Sequence, residues 1–394
     1  MPKPESRFDA GTEELRARLR NAIGVKWTRF DEDVIPMWIA DMDFGTSEVI
    51  TEALHRAIDG FGLGYSRQSL YDRVLAAFAG RYESKFQVKL DPSLALLSTD
   101  VVQAVYVAIS AMTAPGDGVV VQPPIYPPFI GAIRDTQRNV LYNRLLETPS
   151  GFQFAFDDLE RLLSMPNTGM LLLCNPHNPT GRVMTAAELD AVAEMAARHR
   201  VVVVADEIHA DIVYGDRRHS SFAASAARFG TEYLVLTSAS KSFNLAGLRC
   251  AVTHFSSEAL RAAYDTFPFH MRGAVSNLGM VGTIAAWEHG DDWFAKTLAQ
   301  LDQNRHAIAE FVAGEGAGIG YRAPEGTYLA WLDFSAFTEE ADPSAALLEH
   351  ARVGLSDGPA FGPGGERHAR LNFATSSANL SQALGRIAGA LPHL

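Results

Sequence analysis

The chain has 394 residues, 47% of them hydrophobic and 10% aromatic, which is enough apolar material for a sizeable core and too much for a disordered chain. At roughly 150 residues per domain the length allows two or three units, or one large two-layer subunit. With 34 basic against 46 acidic residues the net charge is −12 and the pI about 5.5, so no basic surface is expected for nucleic acid or anionic lipid.

The first residues, MPKPESRFDAG, hold no apolar run, and the expectation is a cytoplasmic protein without a secretory leader that acts on small molecules. From about residue 93 short apolar runs appear: LALLS at 94–98, GVVVQ at 118–122, GMLLLC at 169–174, VVVVAD at 201–206 and YLVLTS at 233–238. Between them lie longer stretches such as the amphipathic TAAELDAVAEMAARHR at 185–200 and the uncharged 101–114, read as a buried helix because polar residues and a Pro-Gly-Asp turn make it too short for a membrane span. Continuous apolar strands alternating with helices predict an α/β unit with a mainly parallel sheet covered on both faces. The last hundred residues differ. A helix near 292–313, the run YLAWLDF at 328–334, a helix around 343–351, a glycine-rich loop, RLNFA at 370–374 and a terminal helix predict a smaller α+β unit. The expected division is 46–285 for the large unit, and 1–45 with 286–394 for the small one.

Cys174 and Cys250 are far apart and lack CxxC spacing, so neither a disulfide framework nor a metal site is expected. In doubly wound sheets ligands bind beyond the carboxyl ends of the strands. Four such ends are rich in reactive side chains: Thr99-Asp100 after the first run, Asn175 to Gly181 after the third, Asp206 to His209 after the fourth, and Ser238 to Lys241 after the fifth. Singly these read as helix caps, a rigid turn or a solvated charge. Together they carry what bound pyridoxal phosphate requires. Lys241 supplies an amine that condenses with the cofactor aldehyde and later moves the substrate Cα proton. Asp206 keeps the ring nitrogen protonated, and Asn178 donates to the ring hydroxyl oxygen. Ser238, Ser240, Arg249 and the helix-terminal amides of Val101 and Val102 hold the phosphate.

On these motifs the chain resembles fold type I pyridoxal-phosphate enzymes of the class I/II aminotransferase superfamily. Within it WIADMDF (38–44), NPHNPTGRV (175–183), DEIHADIVY (206–214) and SASKSFNLAGL (238–248) resemble the cystathionine β-lyase type of carbon–sulfur lyases. The resemblance implies a seven-stranded sheet in the large unit and a homodimer with shared active sites. It also implies His209 beside the cofactor, Tyr126 stacked on its ring, and Tyr65 reaching the phosphate of the neighbouring subunit. Arg370 would grip the substrate α-carboxylate near Asn178, with Trp38 and the backbone near Ala40 lining the substrate pocket. Two positions depart from the family pattern: Thr99-Asp100 stands where Pro-Gly is usual, and Gly45 where Pro is usual. An Asp beside a phosphate dianion is repelled, so Asp100 is expected either to cap the helix or to turn to the substrate. The implied reaction is β-elimination from a cysteine S-conjugate, cystathionine-like or bulkier, to thiol, pyruvate and ammonia. Transamination, a decarboxylating or oxidative branch, and a regulatory binding protein on the same fold are the alternatives.

Overall fold

The structure, a computed structural model, describes residues 12–60, 62–148 and 151–394. The MPKPESRFDAG segment, and with it the expected lack of a leader, lies outside the described residues. After a first helix at Thr12–Arg20, helices α1 (Glu48–Asp59) and α2 (Gln68–Arg81) lead to a seven-stranded sheet. Its strands are β1 (Ala95–Ser98), β2 (Gly118–Val121), β3 (Asn139–Tyr142), β4 (Thr168–Cys174), β5 (Val202–Asp206), β6 (Tyr233–Thr237) and β7 (Ala251–Phe255). The order across the sheet is β1-β7-β6-β5-β4-β2-β3, and β7 alone runs against its neighbours. This is the fold type I arrangement that the motifs implied.

Why the apolar runs are continuous is visible in the side chains. Leu171, Leu173, Val203, Ala205, Val235 and Val252 enter one core, while Met170, Leu172, Val204, Leu234, Leu236 and Ala251 enter a second one on the opposite face. Period-two alternation therefore buries both sets, each valine, leucine or methionine among them contributing roughly 1.5 to 3 kcal/mol. The second core is closed by α3 (Val101–Met112) and α4 (Pro127–Asp135), and the first by α2, α5 (Ala186–His199) and α6 (Asn277–His289). Thr185 and Glu188 start α5 with a reciprocal capping box, Glu188 N donating to Thr185 Oγ1 and Thr185 N to Glu188 Oε2.

Two strands carried no clear sequence signal. β3 is an edge strand, half-buried and only four residues long, and β7 places Thr253 and His254 in the interior, which interrupts its apolar run.

After α7 (Asp291–Ala313), a second sheet forms from β8 (Gly320–Tyr321), β9 (Leu329–Asp333), β10 (Ser356–Asp357) and β11 (His368–Asn372). It is antiparallel in the order β8-β9-β11-β10, backed by α8 (Ser377–Ala390). The helix expected around 343–351 is a short turn, Pro343–Ala346, that runs into a π-helical turn at Leu347–Ala351. Ile35–Pro36 pairs in parallel with Val353–Gly354, which brings the 38–44 segment to the edge of this sheet and opposite the carboxyl ends of the large one. Among the described residues no helix is long and apolar enough to cross a membrane.

Candidate active site

The ladder register aligns the ends of three central strands, with Cys174 opposite Asp206 and Asp206 opposite Leu236. Strands lie about 4.8 Å apart, so the loops that follow deliver Asn178, Asp206, His209 and Lys241 to one crevice. Asp206 is buried and its Oδ1 accepts from the Ile208 amide at 3.0 Å. Burial pushes its carboxyl up to about 7, Glu207 adding to the rise while the Ile208 amide and the Lys241 charge oppose it. Glu207 faces the other way. Its carboxylate accepts from Tyr82 Oη at 3.0 Å, Ser221 Oγ at 3.0 Å and the Phe222 amide at 2.7 Å, with the His219 ring 3.1 Å away. Of the two adjacent acids, Glu207 is thereby consumed in fastening the chain behind the site.

Lys241 is half-buried, and its Nζ donates to the Ala40 carbonyl at 2.7 Å. Burial of the ammonium lowers its pKa, opposed by the charges of Asp41 and Asp206 and aided by Arg370. The same carbonyl accepts from Tyr328 Oη at 2.9 Å, a buried phenol that sequence reading did not single out. Ala40 is held in place from two sides. Asn372 Nδ2 donates to the Ile39 and Asp41 carbonyls at 2.6 and 2.7 Å, and Asn244 grips both Met42 N and Met42 O at 3.0 Å. Asn244 adopts a left-handed backbone, φ 57°, which the short polar side chain tolerates. The Asp43 carboxylate is buried against Lys26 Nζ at 3.0 Å and Trp27 Nε1 at 2.7 Å. The 38–44 segment is thus a strut held by Asn244 and Asn372, with the Asp41 charge acting on Lys241 and Asp43 paired with Lys26.

Arg370 is buried at the centre of the second sheet, opposite Trp331 and Ser356. Its Nη1 donates to Asn178 Oδ1 at 2.9 Å, and Nη2 to the Trp38 carbonyl at 2.9 Å and Ser356 Oγ at 3.1 Å. The guanidinium lies 4.9 Å from the Phe361 ring centroid, and its buried Nε has no hydrogen-bond partner among the described residues. Burial pulls its pKa down to about 10, so it stays cationic near neutrality. His209 is also buried, its Nδ1 without a partner among the described residues, and burial with the charges of Lys241 and Arg370 holds its pKa near 3. It is a neutral imidazole throughout the neutral range. Beside Arg370 opens a cavity of about 520 Å³ lined by Trp38, Tyr126, Phe361 and Ser356, with Arg29 stacked on Trp38 at 4.4 Å. Tyr126 and Trp38 thus line the same cavity. Ser356 and Phe361 went unread because a serine and a phenylalanine in a glycine-rich stretch carry no spacing signal.

At the other end of the crevice Val101 and Val102 open α3, where the first amides lack intrahelical partners. Asp100 caps this helix, its Oδ1 accepting from the Gln103 amide at 2.8 Å, and its Oδ2 accepts from Arg249 Nη1 at 2.5 Å. Asp100 thus caps the helix, but it does more than cap and point away, because its other oxygen pairs with Arg249. Arg249 has a left-handed backbone and an exposed side chain. Ser238, expected on the phosphate, donates its hydroxyl to the Cys250 carbonyl at 2.6 Å and accepts from the Ser240 amide at 3.1 Å. A buried hydroxyl requires a partner, and the neighbouring strand supplies one. Ser240 is half-buried, and Tyr65 is fully exposed.

This donor set fits pyridoxal phosphate. It holds one half-buried amine, a buried carboxyl that a cationic ring nitrogen would keep ionised, two unpartnered buried nitrogens, and a helix N-terminus beside an arginine. Residues 32–387 match the family of class I and II aminotransferases, and the chain belongs to that family of pyridoxal-phosphate enzymes. Its relatives within the family include C–S lyases. The chain is 34% identical over 391 residues to cystathionine β-lyase PatB of Bacillus subtilis (strain 168), covering 98% of this chain and 99% of that one. It superposes on cystalysin from Treponema denticola, whose crystal structure contains pyridoxal 5'-phosphate, with TM-score 0.91 and 26% identity over 95% of this chain and 97% of that one. For the pyridoxal-phosphate-bound C–S lyase of Staphylococcus hominis the TM-score is 0.88, with 28% identity over 95% and 96%.

Proposed function

We propose that this chain is a pyridoxal-phosphate-dependent C–S β-lyase that cleaves a cysteine S-conjugate, cystathionine-like or bulkier, to a thiol, pyruvate and ammonia. The observation that carries the proposal is the joining of Lys241, Asp206, Asn178 and Arg370 in one crevice of a chain that matches a cystathionine β-lyase along nearly its whole length. When bound, pyridoxal phosphate links to the substrate amine through its aldehyde carbon and accepts the electron pair released at Cα.

The remaining tasks fall to the chain. Arg370, fixed by Asn178 and the Trp38 carbonyl, receives the α-carboxylate as a charge-assisted fork and sets the direction of the Cα–H bond. Lys241 Nζ takes the Cα proton, for which burial has already lowered its pKa. The C–S bond then breaks, the sulfur leaving with the bonding pair as thiolate, and the released enamine is hydrolysed to pyruvate and ammonia. Asp206 would hold the protonated ring nitrogen, Asn178 would donate to the ring hydroxyl oxygen and Tyr126 would stack on the ring. His209, a buried neutral imidazole, backs the same wall. The Val101 and Val102 amides, Ser238, Ser240 and Arg249 would hold the phosphate, with Ser238 also accepting from the Ser240 amide. The cavity of about 520 Å³ beside Arg370, Trp38 and the Ala40 strut has room for a leaving group larger than a methyl thiolate.

The same proposal includes a homodimer in which Tyr65 of one subunit meets the phosphate of the other, as its full exposure allows. Residues 46–285 form the cofactor-holding unit, and 1–45 with 286–394 the smaller one. A panel of S-alkyl, S-aryl and S-aminoacyl cysteines, assayed for thiol release, identifies the thioether. Release from none of them overturns the lyase assignment.

A further inference from the structure

The N-terminus of α3 and Arg249 are the two positive features beside the crevice that suit a phosphate, and one side chain already engages both. Asp100 accepts from the Gln103 amide at 2.8 Å through one oxygen and from Arg249 Nη1 at 2.5 Å through the other. Its extended backbone, φ −159° and ψ 170°, folds the carboxylate over the first turn of the helix. The carboxylate also belongs to the crevice electrically. The Tyr126 hydroxyl is held above its ordinary pKa by burial, and the charges of Asp206 and Asp100 both add to that rise against Arg370.

We infer that Asp100 is an internal competitor for the cofactor phosphate, weakening the chain's hold on it by keeping Arg249 and the helix end paired with a carboxylate. This rests on the pyridoxal-phosphate reading of the site. A phosphate dianion that arrives there either shares the guanidinium with the carboxylate or displaces it, and in both cases like charges sit within a few ångströms. At an exposed position such repulsion changes a binding constant by roughly five- to tenfold. The capping hydrogen bond does not need the charge, because Asn caps a helix as well as Asp. The functional consequence is that occupancy follows the supply of free cofactor instead of being saturated at all concentrations.

The full-length protein and its Asp100→Asn variant are freed of cofactor and titrated with pyridoxal phosphate and with pyridoxal, which lacks the phosphate. The inference requires the variant to bind pyridoxal phosphate roughly five- to tenfold more tightly and pyridoxal unchanged, with the gap narrowing at high salt. Asp100→Ser, which also retains a cap, shifts in the same direction. Unchanged or weaker pyridoxal-phosphate binding overturns the inference and makes Asp100 a residue that positions Arg249. Equal tightening of both compounds overturns it too, because the effect then does not act on the phosphate. Failure of every protein to bind pyridoxal phosphate is a separate result, which removes the cofactor assignment itself.

Discussion

Replacing Asp206 by Asn isolates the electrostatic cost of the site. The substitution preserves shape and leaves an oxygen to accept from the Ile208 amide, but removes the titratable group. In the cofactor-free chain burial raises the Asp206 carboxyl from 3.8 to about 7, so the folded state prefers it protonated. The penalty is absent below pH 4, grows as the pH rises through about 7, and then levels off. At roughly 1.4 kcal/mol per pH unit the rise amounts to about 4 kcal/mol, of which about 3 develop between pH 4.5 and 7. For a chain of this size that corresponds to a melting-temperature difference of about 5 °C. Thermal unfolding of cofactor-free wild type and Asp206→Asn, followed by circular dichroism from pH 4.5 to 8, should therefore diverge, with the variant gaining on the wild type as the pH rises. Added pyridoxal phosphate should remove most of the wild-type deficit, because a cationic ring nitrogen gives the carboxylate its partner. Parallel curves for the two proteins without cofactor would refute the assignment of Asp206 as a strained, unpaired acid.

Three further outcomes test other parts of the site. Lys241→Ala should lack the visible absorbance band that borohydride abolishes in the wild type, and retention of the band would move the tether to another amine. Arg370→Lys keeps the charge but loses the fork, so kcat/KM for an S-conjugate should fall about 30-fold or more, at roughly 2 kcal/mol, with cofactor content unchanged. Loss of cofactor in that variant would make Arg370 structural. Asn244→Ala releases both hydrogen bonds to Met42 and puts alanine at φ 57°, so it should destabilise the fold by about 1 to 3 kcal/mol and lower kcat by loosening Ala40 beside Lys241, as read from denaturant unfolding and steady-state rates.

Much of the large sheet is legible in the sequence because burial on both faces leaves unbroken apolar runs, and each run ends near a chemical residue: Cys174 before Asn178, Val204 and Ala205 before Asp206, Thr237 before Lys241. β3 and β7 were not, since an edge strand and a strand with buried Thr253 and His254 look like neither run nor alternation. In the site, Lys241 and Asp206 could be singled out by type and place at strand ends, and Arg370 only through the family resemblance of RLNFA. Tyr328, Asn244, Asn372 and Ser356 were not, because each works through a backbone carbonyl or a partner hundreds of residues away or in an irregular loop, and no local spacing records that.

The most direct measurement is the stoichiometry of products from one S-substituted cysteine, with thiol, pyruvate and ammonia quantified together and no keto acid added. β-Elimination by Lys241 and Arg370 requires the three to appear one to one to one, and requires their formation to vanish in Lys241→Ala. A keto acid retaining the sulfur, formed only when a second keto acid is supplied, would contradict it in favour of transamination, and release of carbon dioxide in step with thiol would show that a different Cα bond breaks.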